Sequence, residues 1–420
     1  MTNSAAPPDV AAGEGGVTPG QLRVTAERAA AQLLTGPPAA RAEEVAGRLL
    51  AIQGQDPRGA RLAVRVRSQG LSAADIDHAL TADRTLVISW LNRGTLHLVR
   101  SADYWMLHRL TTPQLETGCA RRLAQEGIPP AAADRAAGLI ERFLSDGPLT
   151  RAQLAGRLQS AGVRTDGQAL VFLLFLTSLR GITVRGPMIG KQHAHVLARD
   201  WLGAPPAADP DPGAALGWLA RRYLAGHSPA TDRDLAKWAG LPLRDARRAL
   251  REIGGDLDEG EDGLVRLARR PDRASGAADW AAGAAGGATG AGNEAVGAAG
   301  GANGAEDRAS GTGRSGRGHR DPRPELALPP PRLLGVFDPL LHGWQSRGPV
   351  LGRHEPEIVR GGMFRSFALV DGRAAGTWSV TGDQVSLTLL EPVSAAHRRA
   401  LEADAEDVQR FLGLARPGRA

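Results

Sequence analysis

WLNRGTLHLV, residues 90–99, decides how the first quarter of the chain is read. Thr95, His97 and Val99 alternate with Leu96 and Leu98, the period of two expected for a half-buried strand. Helices precede it. Thr18-Pro19 is an N-cap with proline at the first helical position, and Leu22, Ala26, Ala29 and Leu33 follow at helical spacing. A second helix is predicted over roughly 40–53, with Val45, Leu49 and Ile52 on one face and Gly54 and Pro57 stopping it. Ser72 with Asp75 three residues on starts a third. Helices followed by a short strand pair are the outline of a winged helix.

The outline recurs. PLTRAQLAGRL (148–158) opens with a Thr150 cap and places Leu154 and Leu158 on one face. ALVFLLFLTSLRG (169–181) is an apolar helix, and ITVRGPMIGKQHAHVL (182–197) reads as two strands around a Gly/Pro turn, a second wing. Residues 227–253 read as helix-turn-helix: Thr231 caps the first helix, Gly240-Leu-Pro242 turns, and the second helix carries Arg244, Arg247, Arg248 and Arg251. Such a row suits phosphates; it equally suits a solvated face, with Asp245 and Glu252 beside it.

From about 270 to 328 the composition collapses to Gly, Ala, Ser, Asp and Arg, too little apolar surface to offset ordering entropy. Order is expected again from RLLGVFDPLLHGWQSR (332–347), with a hairpin in FRSFALVDGRAAGTWSV (364–380) turning at Asp371-Gly372, a strand in VSLTLL (385–390) and a closing helix over 394–413. The expected fold class is therefore α+β: tandem winged-helix domains followed by a small β-rich C-terminal domain. The expected divisions are a disordered tail (1–17), winged helices at 18–118, 119–205 and 206–269, a disordered insertion at 270–328 and a C-terminal domain at 329–420.

Composition narrows the function classes. Hydrophobic residues at 42% allow real cores, yet the longest apolar run, ALVFLLFL, falls far short of the ~20 residues of a membrane span. The first 20 residues carry no Lys or Arg and no apolar segment, unlike a signal peptide. A single cysteine, Cys119, excludes a disulfide framework and a Cys-rich zinc site, and suits the cytoplasm. A formal charge of +6 and a pI near 10.4 favour a polyanionic partner. The charge is almost all arginine, because Lys191 and Lys237 are the two lysines. His193, His195 and nearby acids form no convincing ligand set, so no metal and no cofactor are expected.

The ordered set IQGQDP (52–57), WLNRGTLHLV, PLTRAQL (148–154), GPMIGKQ (186–192), SPATDRDLAKWAGLP (228–242), LGVFDPLLHGWQSR (334–347) and VDGRAAGTWSV (370–380) resembles the AlkZ-like DNA glycosylases. The likeness runs through most of residues 20–415 apart from the Gly-rich insertion. It implies three tandem winged helices, a β-rich C-terminal domain and a concave face for double-stranded DNA. It further implies removal of N7-alkylated purines and, in some members, unhooking of interstrand crosslinks. The family's Gln-X-Gln signature falls on Gln53 and Gln55, with Gly54 where a larger apolar residue is usual.

An amide pair is expected to suffice for such a substrate. An N7-alkylguanine already carries positive charge, so its leaving group needs no general acid, and a placed amide can hold water or stabilise the developing cation. The bland alternative has both glutamines capping helix carbonyls. His97 is a candidate for ordering water or touching the lesion, against an ordinary structural role. Arg93, Arg185, Lys191 and His193 join Arg244, Arg247, Arg248 and Arg251 as candidate DNA contacts. The functional expectation is a monofunctional, monomeric, cytoplasmic and nucleoid-associated glycosylase acting on alkylated duplex DNA. The competing reading is a non-catalytic winged-helix regulator, which needs one helix-turn-helix reading base edges and normally dimer symmetry.

Overall fold

The computed structural model describes residues 18–190, 192–268 and 327–414. The expected N-terminal tail, Lys191 and nearly all of the expected insertion lie outside the described residues.

The chain opens with α1 (Pro19–Ala31) and α2 (Ala42–Leu49), then β1 (Ile52–Gln53), α3 (Pro57–Arg65), α4 (Ala73–Thr81), β2 (Leu86–Leu91) and β3 (Thr95–Arg100). Local chemistry sets the helix starts. Thr18 and Ser72 make reciprocal capping boxes with Gln21 and Asp75, each side chain closing a free backbone N–H of the other's turn. The expected helix over 40–53 is shorter than its pattern suggested. It ends at Leu49, because Leu50 stands at φ +63° in a γ-turn closed by Ala51 N–H on Leu49 O at 2.7 Å. Pro57 begins a helix rather than ending one: Asp56 caps it by accepting from Gly59 N–H, and proline, which lacks an N–H, fits the first helical position.

Next come α5 (Ser101–Thr111), α6 (Glu116–Gln125), α7 (Pro130–Leu144), α8 (Arg151–Ser160), α9 (Ala169–Leu179), β4 (Thr183–Ile189), β5 (Gln192–Leu197) and α10 (Ala198–Leu202). The two expected hairpins join in one sheet. Strand order is β1-β3-β2-β4-β5, all antiparallel, with Ile88 opposite Arg185 where the hairpins meet. A register shift lies between Arg185 and Met188, and there Gly186 passes so close to Val196 that a Cβ would lie 2.5 Å from its Cγ1.

Then α11 (Pro212–His227), α12 (Asp232–Ala239) and α13 (Leu243–Glu252) lead to a short hairpin, β6 (Leu257–Glu259) and β7 (Val265–Leu267), with Ala230 bridging to Val265. Gly240 at φ +73° ends α12 in the left-handed region. The last segment is β8 (Arg332–Leu334), α14 (Gly348–Leu351), α15 (Glu355–Ile358), β9 (Val359–Arg360), β10 (Met363–Phe364), β11 (Phe367–Val370), β12 (Arg373–Thr381), β13 (Gln384–Leu389) and α16 (Ala395–Leu412). Its main sheet has the order β13-β12-β11-β8. Asp371 and Gly372, both at positive φ, make the expected hairpin turn.

Packing ties the last segment to the first. Ile52, Leu62 and Val64 share one core with Leu333, Ala368, Trp378, Leu401 and Phe411. Gly59 meets Val336 so tightly that a Cβ would lie 2.5 Å from its carbonyl oxygen. Buried arginines close the seam. Arg65 pairs with Asp404 at 2.9 Å and donates to Leu333 O. Fully buried Arg67 grips Asp338 through both terminal nitrogens at 2.8 and 2.9 Å and also bonds Gln32 and Ala63 O. Removing either partner of such a pair leaves an uncompensated buried charge. Among the described residues, no helix is long and apolar enough to cross a membrane.

Candidate active site

Gln53 is the last residue of β1, at the edge of the five-stranded sheet, and stands opposite His97 of β3. The γ-turn at buried Leu50 puts it there by swinging the chain from α2 into the sheet. A non-glycine residue at such φ is strained by ~1–3 kcal/mol, held in place by the packing around it. The ladder continues past the motif's first glutamine, since Gly54 N–H donates to Leu96 O at 2.7 Å. Gln53 is 9% exposed, and its Oε1 is buried without a hydrogen-bond partner. Gln55 is exposed, on the bend before α3. Neither amide side chain hydrogen-bonds to another described residue, and the end of α2 closes through the Leu50 turn instead of through them. A buried acceptor left this way costs about 1–3 kcal/mol, which a substrate or water can recover.

Gly54 is not sterically required. A Cβ there would meet Leu98 N at 3.4 Å and Ile88 Cγ2 at 3.6 Å, ordinary contacts, and its φ is not in the left-handed region. Gly54→Ala is therefore expected to raise stability by about 0.4–1 kcal/mol, by restricting the unfolded chain, with excision retained. A thermal melt checks this; a clear drop in the midpoint contradicts it.

His97 is 3% exposed, and its Nδ1–H donates to Thr95 O at 2.9 Å. Burial, reinforced by nearby Arg93, pushes its pKa down to about 3, so the ring is neutral at physiological pH. A neutral ring beside Gln53 adds no positive charge to this edge. Arg93, in the β2–β3 turn, donates to Trp238 O at 2.7 Å and Lys237 O at 3.2 Å, closing the carbonyl end of α12. Its half-buried guanidinium thus has a structural partner before any DNA arrives.

The other sequence candidates lie apart from this edge. Arg185 is half-buried at the root of the β4–β5 hairpin, donating to His195 Nε2 at 2.6 Å with its guanidinium over Trp90 at 5.0 Å. Burial lowers its pKa to about 10. His193 donates from Nδ1 to Gly186 O at 3.0 Å and keeps a buried, unpartnered Nε2. The exposed tip beyond them carries Met188 and Ile189, which the sequence reading did not single out. On α13, Arg247 pairs with Asp232 at 2.8 Å, Arg248 with Glu252 at 3.3 Å and Arg244 with Asp245 at 3.6 Å. Most of that row is therefore partly neutralised by its own acids. Among the described residues, no three His, Cys, Asp or Glu side chains converge as a metal's ligands would.

Sequence reasoning used the loop after β8 as part of the family resemblance and took no candidate site residue from it. Phe337 stands at φ +57° between Val336, wedged on Gly59, and Asp338, held by Arg67. Its ring packs with His342 and Phe364, and Arg347 lies over Phe364 at 5.0 Å. The signal was a lone histidine in FDPLLHGW, framed by apolar residues.

Comparison with known proteins places the chain in a class, the DNA N-glycosylases. The sequence model of the DNA glycosylase AlkZ-like family matches residues 46–411, and the chain belongs to that family. A relative from Streptomyces sahachiroi named an interstrand DNA cross-link repair glycosylase is 24% identical over 393 residues, covering 89% of this chain and 92% of that protein. The solved structure of the S. sahachiroi DNA glycosylase AlkZ matches with a TM-score of 0.68 at 23% identity, covering 94% of this chain and 97% of that one. The fold is thus shared end to end. With glycosylases as its relatives, the regulator alternative is not favoured.

Proposed function

We propose that this enzyme hydrolyses the N-glycosidic bond of N7-alkylated purines in duplex DNA and unhooks interstrand crosslinks built on such purines. The observation that carries this reading is the Gln53 carboxamide, buried at a sheet edge with an unpartnered oxygen and a neutral histidine opposite. In the proposed mechanism the C1′–N9 bond breaks with its electron pair leaving on the already cationic base, which departs neutral. Gln53 Oε1 faces the positive charge that develops on the sugar. Gln55, exposed on the adjoining bend, accepts from the attacking water, which gives up its proton to bulk solvent after adding to C1′. An uncharged pair acts weakly on an unmodified nucleotide, whose leaving group lacks activation, and this confines the reaction to damage.

In this reading the three groups of helices with their hairpins are tandem winged helices that hold the duplex as a monomer. The exposed tip with Met188 and Ile189, and the cations Arg93, Arg185, Lys191, Arg244, Arg247, Arg248 and Arg251 together with His193, are the candidate contacts. The site of action is the nucleoid in the cytoplasm.

The test uses random duplexes with and without one N7-methylguanine, treated with enzyme and then alkali to cut abasic sites. Strand scission at the lesion alone is expected. Affinity for undamaged duplex is expected to fall with salt at a log–log slope of about −0.9 per neutralised phosphate, with weak sequence preference. Preference for one undamaged sequence by ~10³-fold or more, without scission, overturns the reading in favour of a regulator.

A further inference from the structure

Several buried polar atoms around this edge lack partners, and two of them come from distant parts of the chain. One is Gln53 Oε1; the other is His342 Nε2. Two routes connect them. His97, the cross-strand partner of Gln53, and Arg93 both bear electrostatically on His342. The loop bearing His342 is also pinned to the helix that follows the Gln-X-Gln bend, through Val336 on Gly59 and Asp338 on Arg67.

The His342 ring is held, not loose. Its backbone N–H donates to Pro339 O at 3.0 Å, and the next residue, Gly343, accepts from the Tyr223 hydroxyl at 2.7 Å. Phe364 lies 4.8 Å and Phe337 6.0 Å from it, centroid to centroid. Phe337 keeps its place at the strained φ of +57° because both its neighbours are locked. A packed imidazole with no hydrogen bond to another described residue contributes to the fold only what a phenyl ring would. Its buried Nε2 therefore calls for another explanation.

We propose that His342 is a third substrate-contacting group of the site, hydrogen-bonding to the alkylated nucleotide on which Gln53 and Gln55 act. The proposal rests on the excision reading above. Burial, with Arg93, Arg347, His97 and Lys237 nearby, holds the imidazole neutral, its pKa pushed down to about 3. A neutral ring offers one N–H and one lone pair and adds no positive charge beside a cationic purine. The surrounding Arg93, Lys237 and Arg347 suit the phosphates flanking that nucleotide.

The test compares wild type, His342→Phe and His342→Gln by melting and by single-turnover excision of N7-methylguanine. His342→Phe keeps the packing and removes the nitrogens, so it is expected to melt at or above the wild-type midpoint while excision falls about 10-fold or more. His342→Gln, which restores a hydrogen-bonding amide, is expected to recover part of the rate. Excision by His342→Phe at the wild-type rate overturns the contact, as does loss of folding in both variants, which makes the residue structural. If the wild type excises nothing, the underlying reading fails separately. The contact is then judged by affinity for a duplex whose lesion is made uncleavable by a 2′-fluorine: loss of lesion preference in His342→Phe supports it, and unchanged preference overturns it.

Discussion

Gln53→Ala is expected to lower single-turnover excision of N7-methylguanine by roughly 10²–10³-fold, the usual consequence of removing one preorganised polar group from a reacting centre. Duplex affinity should change little, because the uncharged amide sits in the sheet edge and contributes no charge to any of the proposed phosphate contacts. Its melting midpoint should hold as well: the amide has no hydrogen-bond partner among the described residues to lose, and Ala fits a strand edge. Gln55→Ala should lower the rate by a similar factor, with even less effect on stability because it is exposed. Measuring all three quantities separates chemistry from binding and folding. Wild-type excision rates in both folded variants would sink the assignment of the motif as catalytic.

The second large effect is on stability. Asp338→Ala strips the partner from a fully buried guanidinium, which in comparable cases costs about 3–5 kcal/mol. Arg67 would remain in the interior with only carbonyl and amide oxygens to answer its charge. Asp338 also accepts from Leu340 N–H at 2.9 Å, so the turn carrying Phe337 and His342 loosens with it. A fall of many degrees in the thermal midpoint is expected, along with reduced excision at temperatures where the protein stays folded. Replacing both partners with apolar residues, Arg67→Met with Asp338→Leu, should recover much of the stability and not the excision. An unchanged midpoint in Asp338→Ala would show that the pair contributes little.

Local hydrogen bonding made much of the fold legible. Thr18, Ser72, Thr150 and Thr231 each cap a helix as their spacing predicts, because both partners lie within one turn. Asp56-Pro57 carries the same signal as Thr18-Pro19, yet its position after an apolar run makes it read as a stop. The helix over 40–53 was overextended for a related reason: Ile52 keeps helical spacing with Leu49, but a single left-handed residue, Leu50, sends it into a strand. The merging of two hairpins depends on a contact between residues 88 and 185, which no local pattern encodes. The β6–β7 hairpin was missed because DEGEDGLVRL barely alternates. At the proposed site, the amide pair is visible through its motif, whereas His342 is not, because its surroundings, the Phe337 and Phe364 rings, depend on contacts between separate segments. Arginine was the least legible residue type. Arg65, Arg67 and Arg266 are buried in ion pairs, while Arg244 and Arg247 are exposed, and the letters alone are the same.

The five-stranded sheet has a metric consequence. Gln53 sits on one outer strand, and the hairpin bearing Met188 and Ile189 supplies the other two strands at the opposite edge. Neighbouring strands lie about 4.8 Å apart, so the four intervals from β1 to β5 span about 19 Å. At 3.4 Å per base pair that is a length of about five to six steps along a duplex. Under the proposed function, the backbone ladder would work as a caliper whose jaws are the amide edge and the hairpin, its opening fixed by a count of strands and not by any side chain. It has one joint, the Ile88–Arg185 rung where the two hairpins meet, and an insertion or bulge there would reset the gauge while leaving both jaws intact.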